Sequence, residues 1–239
     1  MVNGLASFKE WFRGCEEYYV IIGGTACDLL MSEAGSDFRV TKDIDMVLIV
    51  EVLDISFCER LWEFIRAAGY DFRQKSTGRP HFYRFSCPES PEYPYMIELF
   101  SRHLDEIKLS EDAVLTPLPV EDEISSLSAI LLDDQYYFFL KDGVKSVSGI
   151  SILDAEHLIP LKAKAWLDLS NRKADGDLVD SRSIRKHKND ILRLAALLSA
   201  ETTIELPETL KNDMNDFLNT VGEGERFIRV AGAYGFSPE

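Results

Sequence analysis

Two aspartates, Asp43 and Asp45, stand at the head of a short apolar segment, IDMVLIVE. On a strand, residues two apart share a face, so both carboxylates emerge together while Ile44 points the other way into a core. Two carboxylates so placed repel unless a cation lies between them, and hard oxygen ligands close to phosphates suit Mg²⁺. A pair of such cations would activate an attacking oxygen and stabilise a leaving pyrophosphate. Upstream, Gly23 and Gly24 end the run YYVII and precede TACDLLMSEAG. Glycine lets a backbone approach a phosphate closely, and the free N–H groups at a helix start favour an anion. A lone Gly-Gly is ordinarily a turn, and a lone Asp-x-Asp is ordinarily a solvated strand face. The order strand, Gly-Gly, helix, Asp-x-Asp strand is far less common by chance.

The elements that would position these residues follow from periodicity. Residues 5–17 carry apolar side chains at helical spacing, and YYVIIGG reads as a strand. TACDLLMSEAG predicts a helix that begins just after the glycines and stops near Gly35. SFCERLWEFIRAAGY predicts an amphipathic helix ended by Gly69. HFYRFSC and YMIELFS read as strands across the loop PESPEYP. AVLTPLP, SLSAILL and QYYFFLK extend the β character, and KDG before VKSVSG suggests a turn between two further strands. From Asp154 the texture turns helical. One helix covers DAEHLIPLKAKAWLDLSNRK with Asp154 as N-cap, a second covers SIRKHKNDILRLAALLSA, and one more with a loop ends the chain.

Composition narrows the classes. With 46% hydrophobic and 28% charged residues the chain is of globular type. It has no run near the ~20 apolar residues of a membrane span, and its N-terminus carries no stretch of signal-peptide length, so a cytoplasmic location is expected. The four cysteines, Cys15, Cys27, Cys58 and Cys87, form no C-x-x-C pair and read as reduced thiols. The formal net charge of −15 counts against broad binding of a phosphate backbone. A local basic cleft stays open, because Arg172, Lys173, Arg182, Arg185, Lys186, Lys188 and Arg193 gather in one segment. No Walker A and no G-x-G-x-x-G pattern occurs.

With Gly23-Gly24 followed by Asp43-Ile44-Asp45, the chain resembles the nucleotidyltransferase superfamily of DNA-polymerase-β-like enzymes. Within it the chain looks most like the AbiEii-type toxins and their minimal relatives. Gly23, Gly24, Thr25 and Ala26 match their GGT-A, and Thr41 to Asp45 match their (S/T)-x-D-I-D. Lys162, with Lys164 as the alternative, matches a lysine on a helix of the second half. Lys188 and Asp190 match a late Lys–Asp helix that runs into an apolar stretch. The chain departs from that pattern at Arg193, where many AbiEii-like chains carry a second aspartate. By this likeness Asp43 and Asp45 are metal ligands, Glu98 is a third carboxylate on a neighbouring strand, and Gly23, Gly24 and Thr25 with Lys188 hold nucleotide phosphates. Lys162 neutralises triphosphate charge, and Asp190 supports the lysine or handles the acceptor's proton.

The expectation is therefore an α+β protein, with a mixed sheet of nucleotidyltransferase type flanked by helices in residues 1–150 and a helical C-terminal part in 151–239. The resemblance implies transfer of a nucleoside monophosphate from an NTP, with Mg²⁺ (or Mn²⁺), to tRNA or a protein, in an AbiEii-like toxin–antitoxin or phage-defence setting with a cognate antitoxin. Two rivals stand beside it. One is a catalytically silent nucleotide-binding or protein-interaction module of the same fold. The other is an enzyme acting on a small molecule, as in antibiotic adenylylation, for which the acidic run Glu121, Asp122 and Glu123, with Asp133 and Asp134 further on, would supply a cationic acceptor's partners.

Overall fold

A computed structural model describes residues 2–70, 82–101, 130–131, 133–199, 201–221 and 224–236. The described residues form an α+β fold with a mixed, six-stranded sheet and eight helices. The chain divides into two compact units, Met1–Val120 with Val144–Leu153, and Glu121–Gly143 with Asp154–Glu239.

The first unit contains the sheet. Its elements are α1 (Leu5–Trp11), β1 (Tyr19–Ile22), α2 (Gly23–Glu33), β2 (Asp43–Leu48), α3 (Ile55–Ala68), β3 (Phe82–Ser86), β4 (Met96–Phe100), β5 (Val144–Val147) and β6 (Ile150–Leu153). The spatial order is β3-β4-β2-β1-β6-β5. Pairs β1–β2, β3–β4 and β5–β6 are antiparallel, whereas β2–β4 and β1–β6 are parallel. Every residue of β1 and β6 is buried. That is why YVII reads as a continuous apolar run rather than an alternating one, and why ISIL departs from such a run only at the buried Ser151. Phe8 and Phe12 of α1 meet Phe64 of α3 with ring centroids 6.0 and 5.2 Å apart, giving the sheet an aromatic backing. Asp54 caps α3 by accepting from the Phe57 amide at 2.8 Å, and Gly69 ends it in the left-handed conformation, as its sequence position predicts.

Three expectations need correction. QYYFFLK is not a strand but the body of a helix, α4 (Asp134–Asp142), in the second unit. Asp133 accepts from the amides of Gln135 and Tyr136, and Tyr136, Tyr137, Phe139 and Leu140 are buried. A good N-cap and tertiary burial overrule the β preference of aromatic side chains. KDG accordingly ends that helix, and the turn between β5 and β6 falls at Ser148 and Gly149, with φ of 53° and 75°. Two successive positive φ angles match the right-handed twist of a tight hairpin. The second helix begins at Gly23 itself rather than after the glycines. The segments AVLTPLP and most of SLSAILL, the residue His81 and the run Glu121 to Glu123 lie outside the described residues.

The second unit is helical among its described residues. It contains α4, α5 (Ala155–Ala174), α6 (Ser181–Leu194), α7 (Glu208–Val221) and α8 (Glu225–Ala233), one more helix than expected at its end. Asp154 caps α5 through the His157 amide at 2.8 Å, as expected. Pro160 sits inside α5 and cannot donate to the carbonyl of Glu156. The buried Tyr234 hydroxyl donates to that carbonyl instead, at 2.5 Å. One side chain thereby satisfies the acceptor that the proline leaves open. No helix among the described residues is long and apolar enough to cross a membrane.

Candidate functional site

Asp43 opens β2, and both Asp43 and Asp45 remain partly exposed while Ile44 between them is fully buried. The alternation expected of a strand edge is therefore present, with the two carboxylates on the open face. Register then decides what surrounds them. Asp45 pairs with Ile22 on β1 and with Glu98 on β4, and Glu98 pairs with Arg84 on β3. A row of four adjacent strands thus carries an aspartate, a glutamate and an arginine side by side.

The start of α2 lies against this row. Gly23 has φ +67°, and a Cβ there would lie 1.7 Å from Asp45 Oδ2. A side chain there would have to displace the Asp45 carboxylate, and the positive φ itself favours glycine. A Cβ on Gly24 would meet Thr41 Oγ1 at 2.8 Å and Arg39 Nη2 at 3.2 Å. Thr25 is wholly buried, and its hydroxyl donates to the Asp43 carbonyl at 2.6 Å. That bond ties the first turn of α2 to the first residue of β2. The Gly-Gly-Thr segment and the aspartate strand form one structural unit.

Glu98 is 8% exposed. Its Oε1 accepts from Arg84 Nε at 2.8 Å and from Arg84 Nη2 at 2.7 Å. Burial, and then the charge of Asp45 and a hydrogen bond with it, push the Glu98 carboxyl up to about 9, against a downward pull from Arg84. Burial and the facing Asp45 thus favour the protonated form of the Glu98 carboxyl. Just beyond the row, Tyr95 stays half exposed, with the Lys42 ammonium 5.8 Å from its ring centroid and the Cys87 thiol 3.8 Å from its hydroxyl. The Tyr95 hydroxyl is raised by the Cys87 contact first, with a further contribution from the charge of Asp43.

Among the described residues no three His, Cys, Asp or Glu side chains form a ready metal cage. The donor set still fits Mg²⁺, which typically takes one or two protein carboxylates and completes its shell with phosphates and water. Asp43 and Asp45 supply that pair. The facing of Asp45 and Glu98 on paired strands fits as well, because a cation between them would relieve the burial and repulsion that raise the Glu98 carboxyl.

Of the residues picked out in the sequence, the fold brings Gly23, Asp45 and Glu98 together and joins Thr25 to Asp43. Lys162 and Asp190 meet in the second unit, with Nζ–Oδ2 at 2.9 Å and side chains 5% and 1% exposed. Lys164, the alternative lysine, instead reaches Asp213 at 3.1 Å and Asp168 at 3.4 Å. Lys188 lies 5.4 Å from the Phe227 ring centroid and 3.5 Å from the Val221 carbonyl at the end of α7. Arg84 escaped sequence reasoning. Its signal was a single charged residue in the otherwise apolar and small FYRFS, answering the single one in MIELF.

No protein-family model matches the chain, and no curated protein matches it. Among solved structures, it is similar to an antigenic nucleotidyltransferase-like protein from Paracoccidioides brasiliensis. That likeness has 14% identity and a TM-score of 0.49, covering 98% of this chain and 92% of that one. It is also similar to the Megavirus polyadenylate synthase, at 12% identity and a TM-score of 0.44, over 91% of this chain and 36% of that one. Similarity of this degree carries neither an activity nor a substrate to this chain.

Proposed function

We propose that the chain is a metal-dependent nucleotidyltransferase whose site is built on β2 and the first turn of α2. The observation that carries this reading is the fit of Gly23 against Asp45: the backbone that would face a phosphate is held, with no intervening Cβ, against the Asp45 carboxylate. In this reading Asp43 and Asp45 hold Mg²⁺ or Mn²⁺, and Glu98 offers the oxygen that Arg84 does not occupy. The cation would supply charge neutralisation at the phosphates. The amides at the start of α2 receive the triphosphate, and Thr25 keeps that turn in register with the aspartates. An acceptor hydroxyl then forms a new bond to the α-phosphorus while the bond to pyrophosphate breaks, with the acceptor proton leaving to solvent. Catalysis would come mainly from positioning and charge neutralisation. The acceptor proposed from the sequence resemblance is tRNA or a protein, in the manner of an AbiEii-like toxin with a cognate antitoxin. The reading needs no residue of the second unit.

One observation favours a second reading. Arg84 occupies an oxygen of the third carboxylate, which suits a module that binds a nucleotide without turning it over. Isothermal titration of GTP, ATP, CTP and UTP, each with Mg²⁺, into the wild type and an Asp43→Ala/Asp45→Ala variant tests both. The expected result is metal-dependent binding of at least one nucleotide by the wild type, weakened at least tenfold in the variant, a loss of about 1.4 kcal/mol or more. Binding indifferent to metal and to the substitutions would overturn the proposal. Binding as expected, but with no pyrophosphate released in an acceptor screen, would favour the silent module.

A further inference from the structure

Resting on the reading above, we infer that the centre takes one protein-held divalent cation, because the Arg84 guanidinium stands where a second would draw on Glu98. The strand register places Asp45, Glu98 and Arg84 in a single row, so Arg84 approaches the carboxylates from the side opposite β2. Two of its donors, Nε and Nη2, converge on one oxygen, Glu98 Oε1, at 2.8 and 2.7 Å. Both lone-pair directions of that oxygen are thereby used, and nothing remains on it for a metal. The pair is also well shielded, with side chains 18% and 10% exposed, so the charge on Arg84 is felt strongly by its neighbours.

Without Arg84 the Glu98 Oε1 oxygen would be freed, and a second cation could draw on it between the carboxylates. Arg84 is a positioning residue here. It sets how many cations the carboxylates can hold by holding Glu98 in place.

Manganese alone, without nucleotide, is the probe, added to the full chain and read by electron paramagnetic resonance. Two Mn²⁺ ions sharing a carboxylate are close enough to couple their spins, and scattered surface ions on an acidic chain are not. The wild type is expected to show the spectrum of an isolated bound ion that disappears in Asp43→Asn. Arg84→Met is expected to show a spin-coupled pair, and Arg84→Lys, which keeps the charge, a single isolated ion. A coupled pair in the wild type would overturn the inference while leaving the metal site standing. So would an Arg84→Met protein that keeps the wild-type melting temperature and still binds a single ion. If Arg84→Met does not fold, the wild-type spectrum and Arg84→Lys decide by themselves. A wild type whose bound Mn²⁺ ignores Asp43→Asn would sink the parent reading and the inference together.

Discussion

Each unit shields an ion pair, and the two differ in their surroundings. In the second unit Lys162 and Asp190 meet at 2.9 Å, between α5 and α6, almost fully sealed. In the first unit Arg84 meets Glu98 at 2.7 Å, but Glu98 also faces Asp45, and Asp43 lies one side chain further along β2. The helical pair has its charge answered within the fold. In the strand row Glu98 and Asp45 face each other as two carboxyl groups, and the aspartates are open to solvent. A sealed cation–carboxylate pair has no need of a ligand, whereas facing carboxyl groups have room for a cation. Facing carboxyl groups, rather than burial, distinguish the strand row as a candidate site.

The largest expected effect lies in the sealed pair. Lys162→Met leaves the Asp190 carboxylate buried without its main partner, and the loss is expected to be about 3–5 kcal/mol. Lys162→Met with Asp190→Leu replaces both charges by apolar groups and should recover most of that loss. Urea unfolding followed by far-UV circular dichroism measures both. A single substitution costing under about 1 kcal/mol would erase the contrast, because the pair would then not need its balance.

A smaller effect is expected at the open row. Gly23→Ala forces an L side chain into positive φ, which costs about 1–2 kcal/mol, and puts a methyl group where Asp45 Oδ2 now lies. Stability should fall by that modest amount, yet the Mg²⁺-dependent rise in melting temperature should disappear because Asp45 must move. An alanine variant that keeps the full metal response would show that the Gly23–Asp45 fit has no bearing on the site.

The same contrast explains what could be read from the sequence. Strands β1, β2, β3 and β4 and helices α3, α5 and α6 were legible because their apolar patterns and their caps, Asp54, Asp154 and Gly69, are local. The pair Asp43 and Asp45 was legible for the same reason, since two residues of one strand share a face whatever the fold. Helix α4 was misread because four aromatic residues in QYYFFLK outweighed the single cap at Asp133 in a propensity reading. Arg84 could not be placed, because its partner is chosen by register between β3 and β4, and Asp45 by register between β2 and β4. Register is set by long-range pairing and tertiary burial, and a one-residue slip would have sent Arg84 to the other face. Even the Lys162–Asp190 contact, between residues set near each other by resemblance, depends on how α5 and α6 pack.

The smallest effect per unit of change is a linkage between cation and proton, confined to the strand row. Burial and Asp45 push the Glu98 carboxyl from 4.5 up to about 9. Its folded value is raised, so the contribution to stability is full below about pH 4.5, and it is lost as pH rises through 9. The unfolded chain gives up this proton first, and the metal-free protein should therefore become less stable across that window. A cation between Asp45 and Glu98 must displace the same proton. Each bound Mg²⁺ is then expected to release about one proton at neutral pH, and affinity to rise about tenfold, or ~1.4 kcal/mol, per pH unit until it levels off near pH 9. Titration in two buffers of different ionisation enthalpy counts the proton directly, and Glu98→Gln should abolish the release without abolishing binding at Asp43 and Asp45. A wild type that binds Mg²⁺ with no proton release would mean that Glu98 already stands ionised against Arg84. The open row would then be closer to the sealed Lys162–Asp190 pair than its facing carboxyl groups suggest.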